Sequence, residues 1–298
     1  MTPTPKTLPL TVLLYEGPIA RAYLSALYAA GFKVKKIISL INVVDAVTQK
    51  PIAPKAPDEV RIPLAEKIQR QQMHYWPRFF HQKYPQACQA IQDASSTLLN
   101  LPKQLWENLV EDMNYNAYSD CIERVLINTL KDPALFKKLS NEPAGTILYT
   151  GGGIVPKSLL NIPGLRFLHI HPGYLPDVRG ADGVLWSSLI KQETAATCFY
   201  MAPGIDTGDI IYREKFSCPQ FKIGQDHFDL KSRYRLVFSF YDPFLRAAVL
   251  LRTIQQVADP DRLSLQDLPA FPQDTSTGTT YHFMHDRLKK AALEQLFF

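Results

Sequence analysis

Residues 167–180 read FLHIHPGYLPDVRG, with two histidines one residue apart ahead of a proline and a glycine. An extended chain alternates faces with a period of two, so His169 and His171 share one face and Ile170 takes the other. Pro172 pushes His171 into the extended region, and Gly173 permits a turn that other residues resist. The stretch reads as the end of a strand and the loop leaving it, the edge at which open α/β sheets bind ligands. Further on, residues 202–211, APGIDTGDII, present Asp206 and Asp209 on a glycine-flanked loop. Three chemistries compete for this set. His169, His171 and Asp206 could ligate a metal, although no HxxxH or CxxC accompanies them, and His227, His282 and His285 lie in segments without evident site geometry. One histidine could be a general base that the aspartate orients and makes more basic. Or the residues are structural, a His-Pro-Gly turn and a capped loop.

The surrounding pattern supplies a sheet to hold them. Residues 11–15 read as a strand, 16–18 as a turn, 19–30 as a helix stopped by Gly31, and 32–40 as a second strand. This is a β-α-β opening of the doubly wound kind. Its first loop lacks the GxGxxG spacing that cradles a pyrophosphate, which disfavours a dinucleotide. Residues 49–63, with four prolines, read as an exposed connector. Residues 65–101 and 102–139 look mostly helical, with Ser119 capping a helix that carries Ile122, Val125, Leu126 and Leu130. The aromatic run HYWPRFFHQKY at 74–84 reads as a helix–helix contact, and His74 and His81, without a nearby acidic partner, take no role.

Sheet character returns at 145–153, GTILYTGGG. Three glycines after a strand let a ligand approach the backbone, or simply make a flexible strand-to-helix turn. A short helix or turn at 157–162, a strand at 166–171, a helix at 181–190 and strands at 195–201 and up to 216 follow. A helical region at 233–257 should break near Pro243 and give way to a polar loop.

Composition narrows the class. The 298 residues are 46% hydrophobic, enough for one large domain or two ordinary ones. With 20% charged residues, global disorder is disfavoured. The net charge of +5 suits an anionic small substrate and is weak evidence for nucleic acid. Cys88, Cys121, Cys198 and Cys218 show neither zinc-knot nor disulfide-framework spacing and fit a reducing cytoplasm. The apolar residues 8–15 run into Glu16 without a cleavage site and read as a buried first strand rather than a signal core. No apolar run approaches the roughly 20 residues a membrane span needs.

HIHPGYLPDVRG at 169–180, followed after a helix and a strand by GIDTGDII at 204–211, resembles the catalytic core of the formyltransferases that use 10-formyltetrahydrofolate. That family includes the glycinamide-ribonucleotide, methionyl-tRNA and amino-sugar enzymes. Its signature is Asn-x-His-Pro-(Ser/Gly)-x-x-Pro, then an Asp in a Leu/Ile-Asp-x-Gly loop. The resemblance is clearest from 146 to 215 and extends more loosely to the opening β-α-β unit. It implies an α/β fold: a Rossmann-like formyltransferase domain with a mainly parallel sheet at 1–216, a helical insertion at about 49–140, and a C-terminal extension of mixed helix and loop at 217–298.

The resemblance also assigns roles. His171 matches the catalytic histidine and Asp206 the aspartate that supports it. Gly151, Gly152, Gly153, Ile154 and Val155 match the loop whose backbone faces the pterin of the formyl donor. His169 stands where the family has an asparagine that donates to the formyl oxygen. Losing such a donor costs about 10²–10³ in turnover, and an imidazole N–H can replace it. Arg179 is a candidate for an acceptor phosphate or carboxylate, or a solvated loop arginine. The wording HPGYLP and RG resembles the amino-sugar branch more than the purine branch. The implied acceptor is a small-molecule amine. No membrane partner is expected, and tRNA is disfavoured, because no dense basic stripe appears and residues beyond Asp209 do not look like the C-terminal barrel of the methionyl-tRNA enzymes. Hydrolysis of formyl-folate, non-catalytic folate or nucleotide binding on the same scaffold, and a metal-dependent hydrolase stand as alternatives.

Overall fold

The computed structural model describes residues 4–223, 228–258 and 265–297; His227 lies outside them. Nine strands follow in chain order: β1 (Lys6–Tyr15), β2 (Phe32–Asn42), β3 (Ile122–Ile127), β4 (Gly145–Tyr149), β5 (Leu165–His171), β6 (Val178–Gly180), β7 (Glu193–Tyr200), β8 (Ile210–Ser217) and β9 (Thr279–Tyr281). Seven of them form one sheet in the order β3-β2-β1-β4-β5-β7-β8, while β6 and β9 pair separately. The first five are parallel, and β7 and β8 add antiparallel at one edge. The helices are α1 (Pro18–Ala29), α2 (Asp58–Met73), α3 (Tyr75–Lys83), α4 (Pro85–Leu99), α5 (Pro133–Ser140), α6 (Lys157–Leu160), α7 (Gly183–Lys191), α8 (Leu230–Leu236), α9 (Asp242–Arg252) and α10 (Asp286–Glu294).

Helices cover both faces of the sheet. Leu8, Leu10, Val12 and Leu14 of β1 pack into one core with α1 and α9. Leu13 joins the opposite core with Ile38, Ile147 and Phe167 and with Leu135 and Leu159 of α5 and α6. A parallel strand buried on both faces reads as a near-continuous apolar run, which is why residues 8–15 mimic a signal core. The chain runs from β1 outward through β2 to β3, then returns past β1 to β4 and β5. The direction reverses between β1 and β4, so a crevice opens outside their carboxyl ends. There Tyr15 donates its backbone N–H to Thr150 Oγ1 at 2.9 Å.

The mainly parallel α/β sheet agrees with the sequence reading, but several elements differ. Residues 122–127, expected as a helix, are the edge strand β3 beside β2. Ser119 caps no helix; its hydroxyl exchanges hydrogen bonds with the backbone of Cys121. Short apolar runs satisfy both periods, and the β-branched Ile122, Val125 and Ile127 favour the strand. The stretch before it holds only 3₁₀ turns, Lys103–Leu109 and Tyr115–Ala117. The helical segment is therefore α2 to α4, not the whole of 49–140. The helical region is interrupted near Pro243, as expected, though by a π turn at Val237–Tyr241 rather than a break. Pro243 itself sits in the first turn of α9, where its missing N–H costs little. The C-terminal extension is mixed helix and loop, as expected, and ends in α10. No helix among the described residues is long and apolar enough to cross a membrane.

The aromatic run does make a helix contact. Phe80 is buried, and the Tyr84 ring meets Phe228 edge-on at 4.7 Å. His74, however, has an acidic partner after all. Its Nε2 donates to Glu16 Oε1 at 2.6 Å. The same carboxylate accepts from Arg21 Nε at 3.1 Å and from the Tyr115 hydroxyl at 2.8 Å, with Arg70 Nε at 3.5 Å. Glu16 thus ties α1, α2, α3 and the turn at Tyr115 to the end of β1. Glu16→Ala strands the fully buried Arg21, and should lower the unfolding free energy by about 3–5 kcal/mol, read from the urea midpoint. Burial works to raise the Glu16 carboxyl, but His74, Arg21 and Tyr115 outweigh it and hold it at about 2 against an ordinary 4.5. A carboxyl depressed in the folded state contributes stability above its unfolded pKa and loses it as pH falls through the folded one. The parent should therefore lose stability between pH 4.5 and about 2, and Glu16→Gln should flatten that limb.

Candidate active site

The end of β5 places the two histidines as the alternation requires. Leu168 and Ile170 face the core under α1 and α9, while His169 and His171 alternate away from them and line a cavity of about 510 Å³ at the end of the strand. His171 is 3% exposed. Its Nε2 donates to the carbonyl of Val178 at 2.8 Å, because the loop after Pro172 folds back over the ring. That fold needs Gly173, where a Cβ would lie 2.7 Å from both His171 Nε2 and Val178 O. A carbonyl only accepts, so Nε2 carries the proton and the neutral ring bears its lone pair on Nδ1. Nδ1 faces Asp206 Oδ2 at 3.4 Å.

Asp206 lies 35 residues further along the chain, in the loop between β7 and β8. It sits in the left-handed region at φ 53°, which aspartate tolerates better than most residues. Gln273 Nε2 holds that loop by donating to the carbonyls of Asp206 at 2.9 Å and Gly208 at 2.6 Å. Asp206 Oδ2 accepts from Gly180 N at 2.8 Å. Burial works to raise its carboxyl, but His171 and the Gly180 N–H outweigh it and keep it below the ordinary range. Burial pushes His171 down against the pull of Asp206. The resting pair is a carboxylate facing an imidazole lone pair, a position where an arriving proton is held from both sides. Asp209 does not reach the cavity.

His169 is arranged differently. Its Nδ1 lies 3.1 Å from the carbonyl of Tyr149, so Nδ1 carries the proton and Nε2 bears the lone pair. Burial, helped by the charge of Arg246, pushes the ring down to about 4. It is therefore neutral near pH 7, with its only N–H committed to the backbone. This geometry runs against the expected donor role, since Nε2 can only accept. Tyr149 also braces the glycine loop, donating its hydroxyl to Gly152 O at 2.8 Å. Gly151, Gly152, Gly153, Ile154 and Val155 all line the cavity.

Arg179 is turned away from it. Its guanidinium donates to Thr280 Oγ1, Thr277 O and Thr275 O at 3.1–3.4 Å. This ties the segment before β9 to β6, and β9 pairs in parallel with β6. The strap so formed brings Thr280, Tyr281, His282 and Phe283 to the cavity wall. Trp186 supports it, stacking on Tyr281 at 4.5 Å and donating to His282 O at 3.0 Å. Phe283, 80% exposed, stands at the mouth with Ile154 and Ile205. Sequence reasoning missed this strap and also Tyr234, Phe238 and Arg246, which line the cavity from the C-terminal helices. Only the run of apolar and aromatic residues there hinted at burial. Among the described residues no three His, Cys, Asp or Glu side chains converge as metal donors.

A doubly wound sheet with a histidine–aspartate pair and a glycine loop at its carboxyl edge defines a Rossmann-like domain with a ligand cavity at that edge. Residues 110–233 match the formyl transferase family model. Over 139 residues the chain is 35% identical to the methionyl-tRNA formyltransferase of Syntrophus aciditrophicus, covering 46% of this chain and 43% of that protein. Over 82 residues it is 38% identical to that of Pelotomaculum thermopropionicum, covering 27% and 26%. The chain thus spans less than half the length of these relatives. A solved sugar N-formyltransferase from a Shewanella species aligns over 98% of this chain and 87% of its own, at 12% identity and a TM-score of 0.43. Residues 110–233 thus carry the formyl transferase domain of the formyltransferase superfamily.

Two outcomes follow from the site. Imidazole ¹⁵N spectra between about pH 5 and 8 should show His169 protonated at Nδ1 throughout; a proton on Nε2 would restore the donor role. Arg179→Met should leave the carbonyls of Thr275 and Thr277 without their donor, at about 1–3 kcal/mol. It should also raise hydrogen exchange across residues 275–283. Unchanged exchange would mean that Arg179 is not the tie.

Proposed function

We propose that the chain transfers a formyl group from 10-formyltetrahydrofolate to a primary amine. The observation that carries this reading is the meeting of His171 and Asp206 at 3.4 Å beside Gly151, Gly152 and Gly153 in one cavity. The glycine loop fits a flat bicyclic donor, since nothing within 4 Å crowds the space where side chains at Gly152 and Gly153 would project. Apolar Ile154, Ile205 and Phe283 at the mouth suit the aromatic portion beyond it.

When bound, the donor supplies an electrophilic formyl carbon. The amine nitrogen attacks that carbon, and the carbonyl oxygen takes the electron pair. His171 Nδ1 takes the proton that the new C–N bond makes acidic, and the Asp206 carboxylate holds the imidazolium so formed. As the oxygen returns its electrons, the bond to the folate nitrogen breaks, and His171 passes its proton to that leaving nitrogen. His169, its N–H committed to Tyr149, offers Nε2 to a hydrogen of the incoming amine.

The acceptor favoured by the HPGYLP motif is a small amine of the amino-sugar class. Methionyl-tRNA, the acceptor named for the relatives, is the second reading. Single-turnover assays with 10-formyltetrahydrofolate and a nucleotide-linked amino sugar, glycinamide ribonucleotide, methionyl-tRNA or no amine separate these. Formylated product should appear in step with tetrahydrofolate for one amine, and His171→Ala should slow it by about 10²–10⁴. Formate released without any amine would make the protein a hydrolase. Donor binding without turnover would make it a binding protein.

A further inference from the structure

Formyl transfer, the reading on which this inference rests, builds negative charge on the formyl oxygen. His169 occupies the place of the donor that should meet it, yet its only N–H points at the Tyr149 carbonyl. His171 is no substitute, with Nε2 held by Val178 O and Nδ1 facing a carboxylate. The developing charge needs another partner.

We propose that Arg246 is that partner, a catalytic arginine whose fixed positive charge stabilises the oxyanion in place of a neutral amide. Arg246 lies on α9 and lines the same cavity as both histidines and Asp206. Its Nη1 donates at 3.1 Å to the carbonyl of Ile170, the residue between His169 and His171. The guanidinium is thus pinned to the strand backbone between the two histidines. Its Nε rests between the carboxylate oxygens of Asp242, at 3.1 and 3.0 Å, and Asp242 is itself almost fully buried. A buried ion pair of this kind adds little to stability over an apolar pair of similar volume, so stability alone is a weak reason to keep one. At the wall of a cavity where charge develops, it supplies a preorganised positive group in surroundings that screen it poorly. The charge reaches the site: Arg246 works to lower His169, His171 and Asp206 alike. That repulsion also suits the second half of the reaction, because it urges the proton on His171 onward to the leaving nitrogen. Arg246 falls outside residues 110–233 that match the family model, so the C-terminal part of this chain contributes it.

Removing Arg246 alone would leave Asp242 unpaired, so the test uses Arg246→Gln with Asp242→Asn, a neutral pair of similar shape. Circular dichroism and urea unfolding establish that it folds, and calorimetry with 10-formyltetrahydrofolate should show donor binding retained. With the amine that the parent formylates, kcat should fall by about 10²–10³ with KM little changed. Arg246 holds His171 down more strongly than Asp242 holds it up, so removing both charges raises His171 and should move the acid limb of the pH–rate profile to higher pH. Adding His169→Asn, which restores an amide donor, should recover at least about tenfold. Should the neutral pair fail to fold, Arg246→Lys keeps the charge and a partner for Asp242; kcat within about tenfold of the parent would support the role, and a folded Lys variant that loses as much as about 10²–10³ would overturn it. A folded neutral pair with unchanged kcat and an unmoved acid limb, or a kcat loss of the same size with no rescue by His169→Asn, would overturn the role of Arg246 and leave formyl transfer standing. A parent that formylates no amine would overturn both.

Discussion

The bond from His171 Nε2 to the Val178 carbonyl governs much of the rest of the site. A histidine in a cavity can present either nitrogen, and the two choices give opposite chemistry. By occupying Nε2 with an acceptor, the folded-back loop leaves the lone pair on Nδ1 and directs it at Asp206. The same loop supplies the Gly180 N–H that holds the aspartate. Orientation of the His171 ring and of the carboxylate it faces are therefore one structural event. Gly180 adopts φ 90° and lies against Tyr281, so the loop also depends on the strap across it.

Two buried charge clusters stand at the crevice, and they differ in kind. Around Glu16 one carboxylate gathers four donors, from α1, from the end of α2 and from the turn at Tyr115. Its task is to fasten the helical segment to the first strand. Around Arg246 and Asp206 the opposite charges line an open cavity. A third group of charges, in a cavity of about 530 Å³ beside α2, pairs Arg70 and Arg124 with Glu66 and Arg78 with Asp112. Those guanidiniums are already matched by carboxylates.

The sequence disclosed what local rules encode. A period of two placed His169 and His171 on one face, and the glycines after Tyr149 marked a loop open to a ligand. Strand and helix could not be told apart at Ile122 to Ile127, because six residues satisfy both apolar periods. The partners of His74 and Arg179 were hidden for another reason. Glu16 is 58 residues from His74, and Thr280 is 101 from Arg179. No local pattern reports such a contact. Arg246 was hidden in the same way: in sequence it is one charge on an apolar helix, and only the packing of α9 against β5 gives it a place.

The strap has a consequence in the order of synthesis. A ribosome emits β1 to β8 first, and the sheet, both histidines, the glycine loop and Asp206 all lie within them. The fourth wall of the cavity, Thr280 to Phe283, leaves the ribosome long after. An unfinished chain can therefore bring His171 and Asp206 together yet lack the wall that encloses them. The site closes only as that segment docks, so in a half-made molecule the cleft still stands open to water.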